Sequence, residues 1–334
     1  PLSGMRFRQL GNSQCAVIST YDSFLRALPN EMKSPDVIVR FGDVPTSKAL
    51  NTLMAGATEA TIVTVSRDGV WNDDAHRTNH RLQLRQVRHL LPLATPKPKR
   101  VGESTWLLSW IDAENIARSH VQFANGEALF DGAVVAKIFK HLLDATTENN
   151  APNLFVGNSS PVRHLEQFTE WWLSTINVYA SRGASGIDGQ VSTALGIGAV
   201  TGEHIYAILG DITFYHDMNG LLAVHRNNVS ATFVVINNNG GGIFERLPIR
   251  DFEPYHTQHF LTPHGLTFEN AAAMYGLEYA HVHDFDTLDT ALDQYMKPGV
   301  NAIIEVQTDI KTDDACRQEI IRAVQSEIQA KFGA

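Results

Sequence analysis

Two short stretches carry the residues best suited to chemistry. Gly210-Asp211 and Asn237-Asn238 each close an apolar run, and Asp211 and Asn238 stand 27 positions apart. A carboxylate at Asp211, an amide oxygen at Asn238 and a backbone carbonyl at Gly240 are hard oxygen donors. Mg²⁺ takes such donors in octahedral geometry and commonly shares them with phosphate oxygens. Glycine at 240 removes the side chain that would bar a close approach. The amides of Ile212 and Thr213 fall near the start of the following helix, where N–H groups favour phosphate. Either stretch alone reads as a turn, because Gly-Asp and Asn-Asn-Asn-Gly-Gly-Gly are turn-prone. Together, each behind its own strand, they describe a grip on a divalent metal and a diphosphate.

The elements that must position these residues are legible as patterns. Strand Ile205–Leu209 delivers Gly210-Asp211, a helix spanning Asp217–Arg226 follows, and strand Thr232–Ile236 delivers the asparagines. A helical segment of about 15 residues runs back roughly 22 Å, and the strand with its turn nearly matches that length. A right-handed crossover then brings both ends to one carboxyl edge of a parallel sheet, where open α/β sheets bind ligands. Further strands are expected at Val37–Arg40, Ala60–Val65, Trp106–Trp110, Leu154–Val156, Val178–Ala180 and Ala302–Val306. Helices are expected between them, among them Ala113–Gln122, Phe130–Leu143, His164–Leu173 and Gly189–Val200. This alternation predicts an α/β chain of two three-layer domains with mainly parallel sheets. The His- and Arg-rich region from Arg67 to Arg100 reads as a solvated loop or hairpin.

Bulk composition narrows the class. At 334 residues, 43% of them hydrophobic, the chain is long enough for two domains with real cores. A net charge of −9 argues against a nucleic-acid binder. Cys15 and Cys316 lack ligand spacing and read as free thiols of a reducing, cytoplasmic compartment. No apolar run is long enough to span a membrane, and no signal peptide is visible. Pro1 rather than Met opens the chain, so its natural start is expected upstream. No GxxxxGK[ST] occurs, and Gly196-Ile197-Gly198 sits within a helical pattern and reads as packing.

Several segments then carry a resemblance. They are VIVRFGDVPTSK from Val37, LFVGNS from Leu154 with Arg163 after it, and SRGASGIDG from Ser181. With them go GDITFYHDMNGLL from Gly210 and NNNGGGIF from Asn237, followed by Leu247-Pro248. The Gly-Asp to Asn-Asn frame is similar to that of the thiamine-diphosphate (ThDP) enzymes. The other segments resemble one family among them, the MenD-type 2-succinyl-5-enolpyruvyl-6-hydroxy-3-cyclohexene-1-carboxylate synthases. The likeness covers nearly the whole chain.

The resemblance implies a Rossmann-like central domain over 1–127 and a ThDP diphosphate-binding domain over 128–334. The pattern alone allows the junction near Asn125–Asp131 or within Thr146–Asn153, and the resemblance favours the first. It further implies that the family's N-terminal pyrimidine-binding domain, which supplies the cofactor-activating glutamate, lies outside this chain. The family decarboxylates 2-oxoglutarate and adds the succinyl-semialdehyde unit to isochorismate, in menaquinone biosynthesis, using ThDP and Mg²⁺ (or Mn²⁺). For the intact enzyme a homodimer or homotetramer is expected, with no nucleic acid and no membrane span. For the 334 residues alone, a fragment that holds metal and diphosphate without turnover is expected. The alternative within the superfamily is another 2-oxoacid decarboxylase or synthase.

Carried onto this sequence, the metal falls to Asp211, Asn238 and Gly240. Cofactor contacts fall to Ile187, Gly210, Asp211, Ile212, Thr213, Asn238, Gly240 and Ile243, with Ile187 propping the cofactor into its bent shape. Substrate contacts fall to Lys48, Ser159, Arg163, Arg182, Phe244 and Leu247. Both substrates are dianions, which suits the bidentate, always-charged guanidinium of Arg163 and Arg182. Ser159 reads equally as a helix cap. Asp188 is expected to orient its loop. His256, His259 and His264 have a spacing that suits no common metal site and read as loop residues.

Overall fold

The computed structural model describes residues 16–84, 104–127, 129–147, 151–169 and 176–333. Two compact units divide the chain. The first joins Pro1–Val121 to Glu170–Leu173 and Ile320–Ala334, and the second joins Gln122–Thr169 to Ser174–Glu319.

In the first unit α1 (Tyr21–Phe24) precedes β1 (Val37–Phe41), α2 (Lys48–Gly56), β2 (Thr61–Ser66) and β3 (His80–Gln83). The strands pair in parallel in the order β1-β2-β3. Ser47 caps α2, its Oγ accepting from Leu50 N at 3.0 Å. The expected strand at Trp106–Trp110 is instead the first turns of helix α3 (Thr105–Glu127). A short apolar run such as WLLSW does not distinguish strand from buried helix. The tryptophans decide it, because spacing i, i+4 puts both on one helical face. Their Nε1 groups both donate to the Met32 carbonyl at 3.1 Å. Phe24 packs edge-on against Trp110, and buried Glu114 accepts from Ser19 Oγ, Thr20 N and Thr20 Oγ1. β3 lies in the region expected to be a solvated loop or hairpin, and it pairs in parallel with β2 rather than as a hairpin. All four of its residues are exposed, so no apolar alternation marks it. Residues 85–103 lie outside the described residues, as do Cys15 and the last residues of the helix expected at His164–Leu173.

The second unit holds α4 (Asp131–Asp144), β4 (Asn153–Val156), α5 (Ser160–Phe168), β5 (Asn177–Tyr179), α6 (Gln190–Thr201) and β6 (Ile205–Gly210). There follow α7 (Asp211–Asp217), a 3₁₀ turn, α8 (Leu222–Arg226), β7 (Ala231–Asn237), α9 (Glu269–Tyr275), β8 (Glu278–Val282), α10 (Phe285–Tyr295), β9 (Ala302–Gln307) and the first part of α11 (Ile310–Phe332), whose residues from Ile320 onward belong to the first unit. The six strands pair only in parallel, in the order β5-β4-β6-β7-β9-β8. The α/β reading with parallel sheets therefore holds. β7 is buried at all seven positions, as a central strand covered on both faces must be. Phe155, Phe214, Phe233 and Phe268 fill the core with Leu209, Val235 and Ile303. Burying each of these side chains contributes roughly 1.5–3 kcal/mol. Gly198 is a packing residue, as expected, because a Cβ there would meet Val229 at 2.9 Å. β8 was not foreseen, and its half-exposed pattern is that of an edge strand.

Candidate metal and diphosphate site

The strand order reverses between β4 and β6. β5 lies to one side of β4, and the chain then returns to β6 on the other. Such a switch point opens a crevice at the carboxyl ends of the strands. Register brings the two sequence stretches to this crevice together. Gly210 of β6 pairs with Ile236 of β7, so Asp211 and Asn237-Asn238 leave the sheet at the same level. Helix α7 begins at Asp211, six residues before the helix expected from the pattern. Ile212 and Thr213 therefore stand in its first turn.

The contact that closes the motif is direct. Asp211 Oδ2 accepts the amide of Gly240 at 2.9 Å, and Oδ1 accepts the amide of Ile212 at 2.6 Å. His264 adds a third partner, with Nε2 3.1 Å from Asp211 Oδ2. Its Nδ1 accepts the amide of Leu266 at 2.9 Å, which leaves Nε2 as the protonated nitrogen that donates to the carboxylate. Burial pushes the Asp211 carboxyl up from its ordinary value, and these donors oppose that rise. His264 is a site neighbour that the sequence reading left in a loop. The three histidines do not assemble: His256 lies 3.4 Å from Glu253, while His259 stacks on Tyr255.

The three asparagines have separate duties. Asn237 Nδ2 donates to Glu305 Oε1 at 2.6 Å and to the Leu266 carbonyl, while its Oδ1 accepts the amide of Asn239. Glu305 is a buried carboxylate on β9 that also accepts from Phe268 N and Tyr279 Oη. Asn239, at φ +65°, accepts the amides of His264 and Gly265 and so ties the following loop back. Asn238 donates through Nδ2 to Asp131 Oδ2 at 2.9 Å. Its Oδ1 is buried and has no hydrogen-bond partner among the described residues.

Gly240 and Gly241 are dictated by space. Gly240 has φ +145°, and a Cβ on it would collide with the Leu261 carbonyl oxygen, as one on Gly241 would with that of Phe260. The Gly241 amide uses the closeness, donating to Leu261 O at 2.8 Å. The Gly240 carbonyl accepts from Gly242 N at 3.0 Å, which leaves its second lone pair.

A cavity of about 270 Å³ lies against these groups. Of the residues expected at the site, it is lined by Ser159, Ile187, Gly210, Asp211, Ile212, Thr213, Asn238, Gly240, Ile243 and Phe244. Phe244 is held edge-on by Phe260. Ser159 has φ +69° and makes no side-chain cap, so its reading as a helix cap fails. Arg163 donates to the Ser159 carbonyl one turn back. Arg182 donates to Asn158 Oδ1 at 2.7 Å, while Asn158 Nδ2 donates to the carbonyls of Ser181 and Gly186. Asn158, next to the switch point, thus anchors the loop that carries Arg182 and Ile187. Neither arginine lines the cavity, nor does half-exposed Leu247. Lys48 belongs to the first unit, where it lines a cavity with Arg40, Asp73 and Arg77.

Behind Asn238 lies a buried charged cluster that the sequence did not announce. Asp131, His164 and Asp313 bring ligand atoms within 4.8 Å of one another. Their donor types would suit a metal, but Arg246 already supplies the positive charge. Its guanidinium donates to His164 Nε2 and lies 3.5 Å from Asp313 Oδ2. Burial and the neighbouring guanidinium groups hold His164 well below its ordinary pKa, as a neutral acceptor. Burial, then the proximity of Asp313, pushes the Asp131 carboxyl up to about 7.

The donor set fits the expected cation. Asp211 offers carboxylate, Gly240 a carbonyl and Asn238 an otherwise orphaned buried oxygen, all hard ligands of the Mg²⁺ type. Residues 162–306, almost all in the second unit, match the family described as thiamine pyrophosphate enzyme, C-terminal TPP binding domain. Two relatives, from Roseiflexus sp. (strain RS-1) and Roseiflexus castenholzii, are called 2-succinyl-5-enolpyruvyl-6-hydroxy-3-cyclohexene-1-carboxylate synthase. They are 44% and 43% identical over 97% of this chain, which covers 54% of each. A relative of the same name from Bacillus velezensis is 34% identical over 99% of this chain and 56% of its own length. The chain thus spans about half the length of the curated relatives it matches. Over that span it is a homologue of the MenD-type synthases.

Proposed function

We propose that this homologue of the MenD-type synthases provides the half of the active site that grips the cation and diphosphate of ThDP. In the whole enzyme the reaction would join 2-oxoglutarate, with loss of CO₂, to isochorismate. The observation that carries the reading is the pairing of Asp211 with the Gly240 amide beside an unpartnered Asn238 Oδ1. Asp211, Asn238 and the Gly240 carbonyl would hold Mg²⁺ or Mn²⁺, and the first turn of α7 would face the diphosphate. The bound cofactor supplies the electron sink for decarboxylation and carbon–carbon bond formation.

The remaining roles belong to this chain's own groups. Ile187, Ile243 and Phe244 give the cavity apolar walls that shape it and exclude water. Ser159 lines it on strained backbone, a feature that clusters at ligand sites. Arg163, Arg182 and Lys48 are assigned to the carboxylates of the two dianionic substrates. Arg182 is partly buried, which pulls its pKa down from the ordinary value while Glu166 opposes the fall. Leu247 is assigned to the isochorismate side. The domain division proposed is a central domain over 1–127 and a diphosphate-binding domain over 128–334. The intact enzyme is assigned as a homo-oligomer, and the compartment as cytoplasmic.

The 334 residues alone are expected to bind without turning over, because the resemblance puts the activating glutamate on a domain outside them. Mg²⁺-dependent ThDP binding by this chain, followed by calorimetry, tests the grip. Asp211→Ala should abolish the Mg²⁺ dependence, and unchanged binding would refute the metal assignment. Robust turnover of both substrates by these residues alone would refute their inactivity.

A further inference from the structure

Asn238 has a weakness as a metal ligand. A primary amide presents an oxygen on one side and an NH₂ on the other, and rotation about its last torsion exchanges them. Only the oxygen can ligate a cation, and the NH₂ would repel it. Something must therefore choose the rotamer before the cation arrives. Asp131 makes that choice. It is 2% exposed at the start of α4 and lies 107 residues from Asn238 in sequence. Its Oδ2 accepts Asn238 Nδ2 at 2.9 Å, and its Oδ1 accepts Thr308 Oγ1 at 2.6 Å.

The arrangement is directional. Oδ2 serves as an acceptor, so the NH₂ of Asn238 is the end that faces it. Thr308 holds the second oxygen, so the carboxylate cannot swing away cheaply. The consequence is the buried, partnerless Asn238 Oδ1. Leaving such an acceptor without a partner is costly, and the cost is recovered when a cation takes it.

We infer that Asp131 is a positioning residue, fixing the Asn238 amide so that Oδ1 is preset as a ligand to the cation. This rests on the proposed reading of Asp211, Asn238 and Gly240 as the cation's holders. What Asp131 supplies is an acceptor at one place, so a neutral acceptor of the same shape should serve. Asp131→Asn can turn its own carbonyl to Asn238, while its NH₂ faces Thr308 Oγ1, which can accept. Asp131→Ala leaves the Asn238 amide free to rotate.

The test is Mn²⁺ binding by the full 334-residue chain with ThDP present, read from loss of the free-ion EPR signal. Asp131→Ala should weaken binding by about 10- to 100-fold, the usual cost of removing a residue that orients a ligand. Asp131→Asn should stay within about threefold of the parent, a rescue that a requirement for charge does not permit. Equal losses in the two variants, or none in either, would overturn the assignment. Should Asp131→Ala not fold, Asp131→Leu takes its place and is compared with Asp131→Asn, with the same difference expected. A cycle with Asn238→Ala adds a second check: the effect of Asp131→Ala should vanish in that background, and additive effects would overturn the inference. Asp211→Ala distinguishes the underlying reading. If it leaves Mn²⁺ binding unchanged, the cation site itself is wrong and the role of Asp131 falls with it. If it abolishes binding while Asp131→Ala does nothing, only the positioning role falls.

Discussion

Replacing Gly240 by alanine isolates what the proposed metal loop owes to close backbone approach. Two costs arise at that position. The first is conformational: φ is +145°, a region essentially reserved for glycine, and holding another residue in a sparsely populated region costs about 1–3 kcal/mol. The second is steric. The new methyl would overlap the Leu261 carbonyl oxygen, which accepts the Gly241 amide at 2.8 Å. Moving the carbonyl far enough loses that hydrogen bond, at about 1 kcal/mol net. The loop holding Asn238 and Gly240 is thus strained by about 2–4 kcal/mol in its native shape. If that shape is the one that binds the cation, affinity should fall by about 30-fold or more, since 1.4 kcal/mol is tenfold. Gly202→Ala is the matched control. Gly202 also has positive φ, +71°, but nothing lies within 4 Å of its would-be Cβ. It should lose about 1 kcal/mol of stability through left-handed strain alone and keep its binding. Calorimetric titration with Mg²⁺ and ThDP, beside urea unfolding of each variant, reads both quantities. Gly240→Ala binding as tightly as the parent would refute the argument, as would equal binding losses in the two variants.

Two further outcomes concern the scaffold. His204 is partly buried next to Ser230 and Thr232, and that desolvation pulls its pKa from 6.5 down to about 4. The unfolded chain therefore takes up a proton that the folded one refuses between pH 6.5 and 4. Stability should be full above pH 6.5 and fall toward pH 4, by up to about 3 kcal/mol. Urea unfolding across that window should show a flatter profile for His204→Asn, and an unaltered slope would disprove the linkage. Glu305→Ala should leave the Asn237, Phe268 and Tyr279 donors without their acceptor and cost about 2–4 kcal/mol. A thermal midpoint within one degree of the parent would show that water or another group replaces the carboxylate.

What could be read in advance follows the length of the signal. β6, β7 and β9 are mostly apolar runs rich in Ile, Val and Ala, and each was legible because buried parallel strands read as near-continuous apolar stretches, even with Thr232 in β7 and Glu305 in β9. Edge strands β3 and β8 carry mixed residues, exposed throughout in β3 and partly exposed in β8, so no pattern announces them. The WLLSW run misled because a short apolar stretch fits two periods, and only the shared Met32 acceptor shows which applies.

At the site the division is similar. Sequence alone determined the oxygen-donor chemistry of Asp211 and Asn238, their placement behind two strands, and the need for glycine at 240. All of these are local consequences of residue type and of the helix and strand rises. Tertiary structure decided which groups orient those donors. Asp131 meets Asn238 across 107 residues, His264 meets Asp211 across 53, and Glu305 meets Asn237 across 68. The reason is that a polar side chain's partner is set by where the sheet edge and its loops converge in space. An isolated Asp or His reads in sequence as any other surface residue, and only burial beside a ligand-bearing amide or carboxylate gives it a function.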